Sequence, residues 1–128
     1  MTQEEFIEVL DNEGYSYEIE GDKIVVNHKR HVYLGSLTSL PPGVEFRNKG
    51  DVYLNSLTSL PPGAEFRNKG GVGLSQLKTL PPGAEFRNEG NVYLDSLVGR
   101  RFSDWNGNID GIDSKRLLNL MISKGVFI

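Results

Sequence analysis

"DVYLNSLTSLPPGAEFRNKG" fills residues 51–70, and the twenty residues before it, "HVYLGSLTSLPPGVEFRNKG" (31–50), differ from it at only three positions. "GVGLSQLKTLPPGAEFRNEG" (71–90) shares thirteen of its twenty residues with 51–70, and a fourth unit opens at 91 as "NVYLDSLVGR" before breaking off. No gap interrupts the register. A fixed period near twenty residues is the mark of a solenoid, in which each unit is one coil that buries its apolar side against its neighbours. A lone coil has nothing to bury against, and this is why the unit is repeated.

Within one unit, Val52 and Leu54 alternate with Tyr53, which predicts a short strand with Val and Leu turned inward and Tyr outward. Leu57 and Leu60 follow at three-residue steps, too wide for one strand and suited to a corner. Pro61-Pro62-Gly63 supplies a turn without amide donors at the prolines. Ala64 and Phe66 alternate with Glu65 and Arg67 as a second short strand. Asn68-Lys69-Gly70 turns the chain back, with Asn and Gly expected in left-handed conformation. Stacking like on like predicts columns of Phe46, Phe66 and Phe86 and of Leu40, Leu60 and Leu80, each large buried side chain contributing about 1.5–3 kcal/mol before entropy.

Working outward, Ile24 and Val26 hold the same offsets from Val32 that Val44 and Phe46 hold from Val52. Residues 24–34 therefore read as a degenerate half-coil, and "YSYEIEGDKIVV" as a hairpin turning at Gly21-Asp22. Bare coil ends expose unpaired strand edges and need lids. Thr2-Gln3-Glu4-Glu5 is a capping box for a helix that presents Phe6, Val9 and Leu10 on one face and ends near Gly14. Asp113 or Ser114 is the expected cap of a second helix carrying Leu117, Leu118, Leu120 and Met121 and stopped by Gly125. The final "VFI" is a further strand candidate. The expected fold is mainly β: one domain over 1–128, with a helix and hairpin cap at 1–30, repeat coils at 31–98 and a C-terminal cap at 99–128.

Composition narrows the function classes. With 38% hydrophobic and 24% charged residues the chain is ordinary globular material, and a net charge of −3 gives no sign of a nucleic-acid partner. The absence of cysteine removes disulfides and thiolate chemistry and suits a reducing cytoplasm. "MTQEEFIEVL" lacks a basic n-region and an apolar h-region, so no signal peptide is expected, and no apolar run nears the ~20 residues of a membrane span.

The units resemble leucine-rich repeats in their period and in "LTSLP", although the usual L-x-x-L-x-L-x-x-N spacing is missing and Pro-Pro-Gly leaves no room for a convex helix. The whole chain, including "EEFIEVL" and "LLNLMISKG", is more similar to short β-solenoid proteins of tailed phages, prophages and bacteria built on "SLTSLPPGVEF" coils. That resemblance implies a fold and a phage or prophage origin, and assigns no chemistry.

From Asn106, N-x-N-x-D-G matches the start of a calcium loop, but its twelfth position is Leu117 where a bidentate Glu is required, so a linker into the C-terminal helix is expected. His28 and His31 lie three apart beside Lys29 and Arg30, which reads as a solvated turn rather than a metal site. Glu45, Glu65 and Glu85 each stand two residues from Arg47, Arg67 and Arg87. Ionised, paired side chains on a solvent face are expected there, in place of the free carboxylate pair of a glycosidase. Ser36, Ser56 and Ser96 have no His-Asp company, and "RNKGG" lacks the spacing of a phosphate loop. No catalytic residue, metal or cofactor is assigned.

The column Tyr33, Tyr53, Gly73, Tyr93 is different: three outward aromatics with a one-residue notch. Aromatics on a rigid face are favoured contact residues; the competing reading is an aromatic stack that shields cross-strand hydrogen bonds or packs under a capping segment. The expectation is a non-enzymatic protein that binds a protein partner through Tyr33, Tyr53 and Tyr93 with Arg47, Arg67 and Arg87. It is expected in the cytoplasm of a bacterial host, conceived as a phage-encoded inhibitor of a host defence system such as CRISPR. The alternative is a structural component that self-associates into a homo-oligomer through the solenoid; an enzyme acting on polysaccharide ranks third.

Overall fold

The structure, a computed structural model, describes residues 1–97, 108–109 and 111–125. Among the described residues, ten short strands and two helices build a two-sheet β-solenoid of about four turns, with the helices at its ends. Helix α1 spans Gln3–Glu13 and leads into a hairpin of β1 (Tyr17–Glu20) and β2 (Lys23–Val26). The coils then alternate between two sheets. One sheet takes β4 (Val44–Phe46), β6 (Glu65–Phe66) and β8 (Glu85–Phe86); the other takes β3 (Val32–Tyr33), β5 (Val52–Tyr53), β7 (Val72–Gly73) and β9 (Val92–Tyr93). The chain finishes with β10 (Asn108–Ile109) and α2 (Gly111–Ser123). The sheet orders are β1-β2-β4-β6-β8 and β10-β9-β7-β5-β3.

Every coil-to-coil pairing is parallel and joins residues twenty apart, as in Val32↔Val52↔Val72↔Val92 and Phe46↔Phe66↔Phe86. The half-coil obeys the same rule, with Ile24 opposite Val44 and Val26 opposite Phe46. The inward residues of both sheets are buried, together with the corner leucines Leu37, Leu57, Leu77 and Leu97. The three-residue step at each corner is a tight turn in which Leu57 N–H donates to the Leu54 carbonyl at 3.2 Å, repeated in every coil. The phenylalanines stack face to face, Phe46 on Phe66 at 5.3 Å and Phe66 on Phe86 at 5.0 Å between ring centres.

Both ends are closed, each by one antiparallel strand and one side chain. At the front, β1 covers β2, while the Tyr15 hydroxyl covers β3 by accepting from Tyr33 N–H at 2.9 Å and donating to the Tyr33 carbonyl at 3.2 Å. At the back, β10 covers β9, while the Asn119 amide covers β8 through the backbone of Phe86. Each sheet thus has a strand lid at one end and a side-chain lid at the other. The front helix matches expectation, with the Thr2–Glu5 capping box formed and Gly14 left-handed at φ 75.

Three expectations are corrected. The turn at 68–70 contains no positive φ. Gly70 is required by close approach instead, because a Cβ there would lie 2.7 Å from the Asp51 amide nitrogen. Asn68 is buried, and its side-chain amide faces the carbonyls of Gly50, Gly70 and Gly71 at 3.0–3.1 Å; Asn48 and Asn88 repeat the arrangement in their own coils. Helix α2 begins at Gly111, so Asp113 and Ser114 fall inside its first turn and neither precedes it as a cap. On α2, Leu118 and Ile122 are buried one turn apart with Met121 beside them, and Leu120, well off that face, is exposed. The side chain of Leu117, the calcium-loop residues Asn106 and Asp110, and the "VFI" segment lie outside the described residues. No described helix is long and apolar enough to cross a membrane.

Candidate functional site

The outward positions of the sheet that runs from β3 to β9 carry two adjacent columns. Residues 33, 53, 73 and 93 form one; residues 31, 51, 71 and 91 form the other, two positions earlier on the same strand face. Tyr33 and Tyr93 are 58% and 42% exposed, as an outward column requires. Tyr53 is not: it is half-buried, stacked on Tyr33 at 5.0 Å with the rings 5° from parallel, and its hydroxyl donates to Asp51 Oδ2 at 2.8 Å. That hydrogen bond, helped by partial burial and the nearby charge of Asp51, pushes the Tyr53 phenol up to about 12.

Side chains of the second column tie each coil to the next. His31 Nδ1 accepts from Asp51 N–H at 2.8 Å, and Asp51 Oδ1 accepts from Gly71 N–H at 2.7 Å. His31 is therefore an acceptor within the coil stack, and His28 likewise accepts from Ser16 N–H at 3.2 Å and meets Tyr15 edge to face. Neither belongs to a metal cluster; among the described residues no group of three potential ligands is close enough to hold an ion.

The third coil interrupts both columns at once. Gly71 replaces the side chain between Asp51 and Asn91, and Gly73 replaces the one between Tyr53 and Tyr93. The result is a pocket of about 340 Å³, floored by Gly71, Val72 and Gly73, with Tyr53 and Asp51 on one side and Tyr93 and Asn91 on the other. The single notch at Gly73 was legible in the sequence. The companion gap at Gly71 was missed, and the mark that reveals it is "GVG" where the other units read "HVY", "DVY" and "NVY".

The arginines belong elsewhere. Arg47, Arg67 and Arg87 follow the strands of the other sheet and pair with Glu45, Glu65 and Glu85. No contact among the described residues joins them to the tyrosines, so the predicted binding residues lie on two separate surfaces. The glutamate ladder is also less uniform than a solvent face: the side chains of Glu45, Glu65 and Glu85 are 2%, 21% and 43% exposed. Glu45 is enclosed because the hairpin lies beside it, bringing Lys23 to 3.5 Å, while Arg47 and Arg67 close over it. Burial pushes the Glu65 carboxyl up, but its contacts with Glu45, Arg67 and Lys23 outweigh this and hold it below the usual range. The Arg47 guanidinium is raised by its hydrogen bond to Glu45.

No protein-family model, curated protein or solved structure matches this chain, so its resemblance to phage solenoids and leucine-rich repeats rests on the quoted residues alone.

Proposed function

We propose that this protein is a non-enzymatic binding module that presents the tyrosine-bearing sheet to a protein partner. One observation carries the reading: Tyr33 and Tyr93 are large aromatics held exposed on a face whose backbone is fixed by coil-to-coil hydrogen bonding. Tyrosine gives large contact area at small entropic cost, and a rigid face adds little ordering cost on binding. The paired arginine ladder is a weaker candidate surface, since its charges are already partnered within the fold.

Assembly of copies through the solenoid ends is the less favoured alternative, because strand lids and side-chain lids occupy both ends. The resemblance to phage and prophage solenoids extends the proposal: the partner is a protein of the bacterial cytoplasm, with a defence system such as CRISPR as the target class to screen first. The test compares wild type with a Tyr33→Ser/Tyr93→Ser variant in affinity capture from a bacterial host, with native mass spectrometry of each. A partner retained by wild type and lost by the variant, at unchanged melting temperature, supports the reading. Equal capture by both, or a dimer that the variant dissolves, overturns it.

A further inference from the structure

The two glycines that open the pocket are not demanded by backbone conformation. Gly71 and Gly73 lack positive φ, unlike the turn glycines Gly43 and Gly63. At Gly50 and Gly90 a Cβ would lie 2.6 and 2.5 Å from the backbone nitrogen of the neighbouring coil, so glycine there is a packing necessity. At Gly71 an added Cβ would lie 3.0 Å from the Asn91 carbonyl oxygen. At Gly73 it would lie 2.9 Å from Asn55 Oδ1 and 3.3 Å from Tyr53 Cδ1, side-chain atoms that can shift at the expense of the Asn55 bond to Ser75 N–H. The positions equivalent to Gly73 in the other coils hold tyrosine. The notch is therefore set by two missing side chains and not by a strained turn.

Its dimensions follow from the ladder. At about 4.8 Å per coil, the backbones at positions 53 and 93 stand about 9.6 Å apart, the space of one ring omitted from the stack. Tyr53 Cδ1 and Tyr93 Cε2 reach to 3.3 and 3.7 Å from where Cβ atoms would stand at Gly73 and Gly71, so the rings border the gap directly. The chemistry of its edges is acceptor-rich. Asp51 supplies a carboxylate that accepts from Gly71 N–H and the Tyr53 hydroxyl, and each of its oxygens keeps a second lone pair. Asn55 Oδ1 lies at the opposite end of the strand and accepts from Ser75 N–H at 3.1 Å. Glu45, Glu65 and Glu85 all have arginine partners. Asp51 has neither lysine nor arginine within ion-pair distance among the described residues; its one nearby basic group is His31, at 3.5 Å.

We propose that the notch at Gly71 and Gly73 receives an arginine side chain of the protein partner, its guanidinium lying between the Tyr53 and Tyr93 rings and paired with Asp51. Planarity, positive charge and five in-plane donors fit a slot with aromatic walls and an anionic edge. A lysine ammonium matches the charge but not the plane. A nucleobase or an indole matches the plane but leaves the carboxylate uncompensated. This inference rests on the tyrosine-bearing sheet being the binding face, and it names what that face recognises.

The test is a titration of the 15N-labelled protein with N-acetyl-arginine amide, followed by NMR, with the lysine and tryptophan amides in parallel. Saturable shifts are expected at the Gly71, Val72 and Gly73 amides, with lysine about tenfold weaker because it cannot stack as a plane. Asp51→Asn should weaken arginine binding by a similar factor while folding normally, since asparagine already serves at position 91. Gly73→Tyr should fill the slot and abolish the shifts. Absence of saturable shifts, tryptophan binding as tightly as arginine, or indifference to Asp51→Asn would each overturn the assignment. Should Gly73→Tyr fail to fold, the Asp51→Asn comparison decides alone. Partner capture that is lost in the Tyr33→Ser/Tyr93→Ser variant but intact in folded Gly73→Tyr would refute the slot and leave the binding face standing.

Discussion

Asn119, on α2, holds the backbone of Phe86 at both polar atoms: its Oδ1 accepts from Phe86 N–H at 2.8 Å and its Nδ2 donates to the Phe86 carbonyl at 2.9 Å. A single side chain thus supplies what the next coil would have supplied. Asn119→Leu should destabilise the fold by about 1–3 kcal/mol, since two partly buried backbone groups lose their partners. It should also make the protein self-associate with rising concentration, because an unpaired parallel edge is a template for another. Denaturant melts and sedimentation velocity would check the two effects. An unchanged stability would mean that water replaces the amide without cost.

Phe66 is the centre of the aromatic column, fully buried between Phe46 and Phe86. Phe66→Ala should cost about 3–5 kcal/mol, because two stacked rings cannot both move into the void. Chemical denaturation gives the number, and a loss under about 1 kcal/mol would show that the column closes up.

Asn68→Asp puts a carboxylate where three carbonyl oxygens converge and removes the side-chain donor that joins them, leaving only their backbone N–H partners and the neighbouring asparagines. The substitution is nearly isosteric, yet it should cost more than Asn68→Ala, which is expected to lose about 1–3 kcal/mol through the lost amide hydrogen bonds and the space left in the coil. The reverse order in thermal melts would mean that the site takes up a proton.

Tyr53 keeps its proton to about 12, against an ordinary value of 10.0. Its folded pKa lies above its unfolded one, so its contribution to stability is full below about pH 10 and is lost as pH rises through about 12. Ultraviolet titration of the phenolates should show a late-ionising tyrosine that moves to lower pH in Asp51→Ala. No movement would place the cause outside the Asp51 hydrogen bond.

The solenoid was legible because its information is periodic. Val32, Val52, Val72 and Val92 stand twenty apart in sequence and pair with that same offset in space, so an alignment of the chain with itself already gives the register. The hairpin and the half-coil followed from the spacing of Ile24 and Val26. The asparagine ladder was not legible: Asn68 before Lys-Gly reads as a turn residue, and the carbonyls that hold it come from three successive repeat units. The burial of Glu45 depends on the neighbouring hairpin, which the repeat itself does not contain. Tyr15 and Asn119 act as single side chains outside the repeat, so no periodicity could single them out. The tyrosine face was visible as a column. The pocket in it needed two columns read together, because Gly71 has meaning only beside Asp51 and Asn91.

Because every coil offers the next the same row of donors and acceptors, the number of coils is independent of the lids. Deleting residues 51–70 would place β3 against β7 and β4 against β8 with Tyr15 and Asn119 still in position, and the shortened chain is expected to fold. Its notch would change character, however. Tyr33 would replace Tyr53 as one wall, and His31 would stand where Asp51 had been, so a change of length by one coil would also exchange an anionic edge for an imidazole.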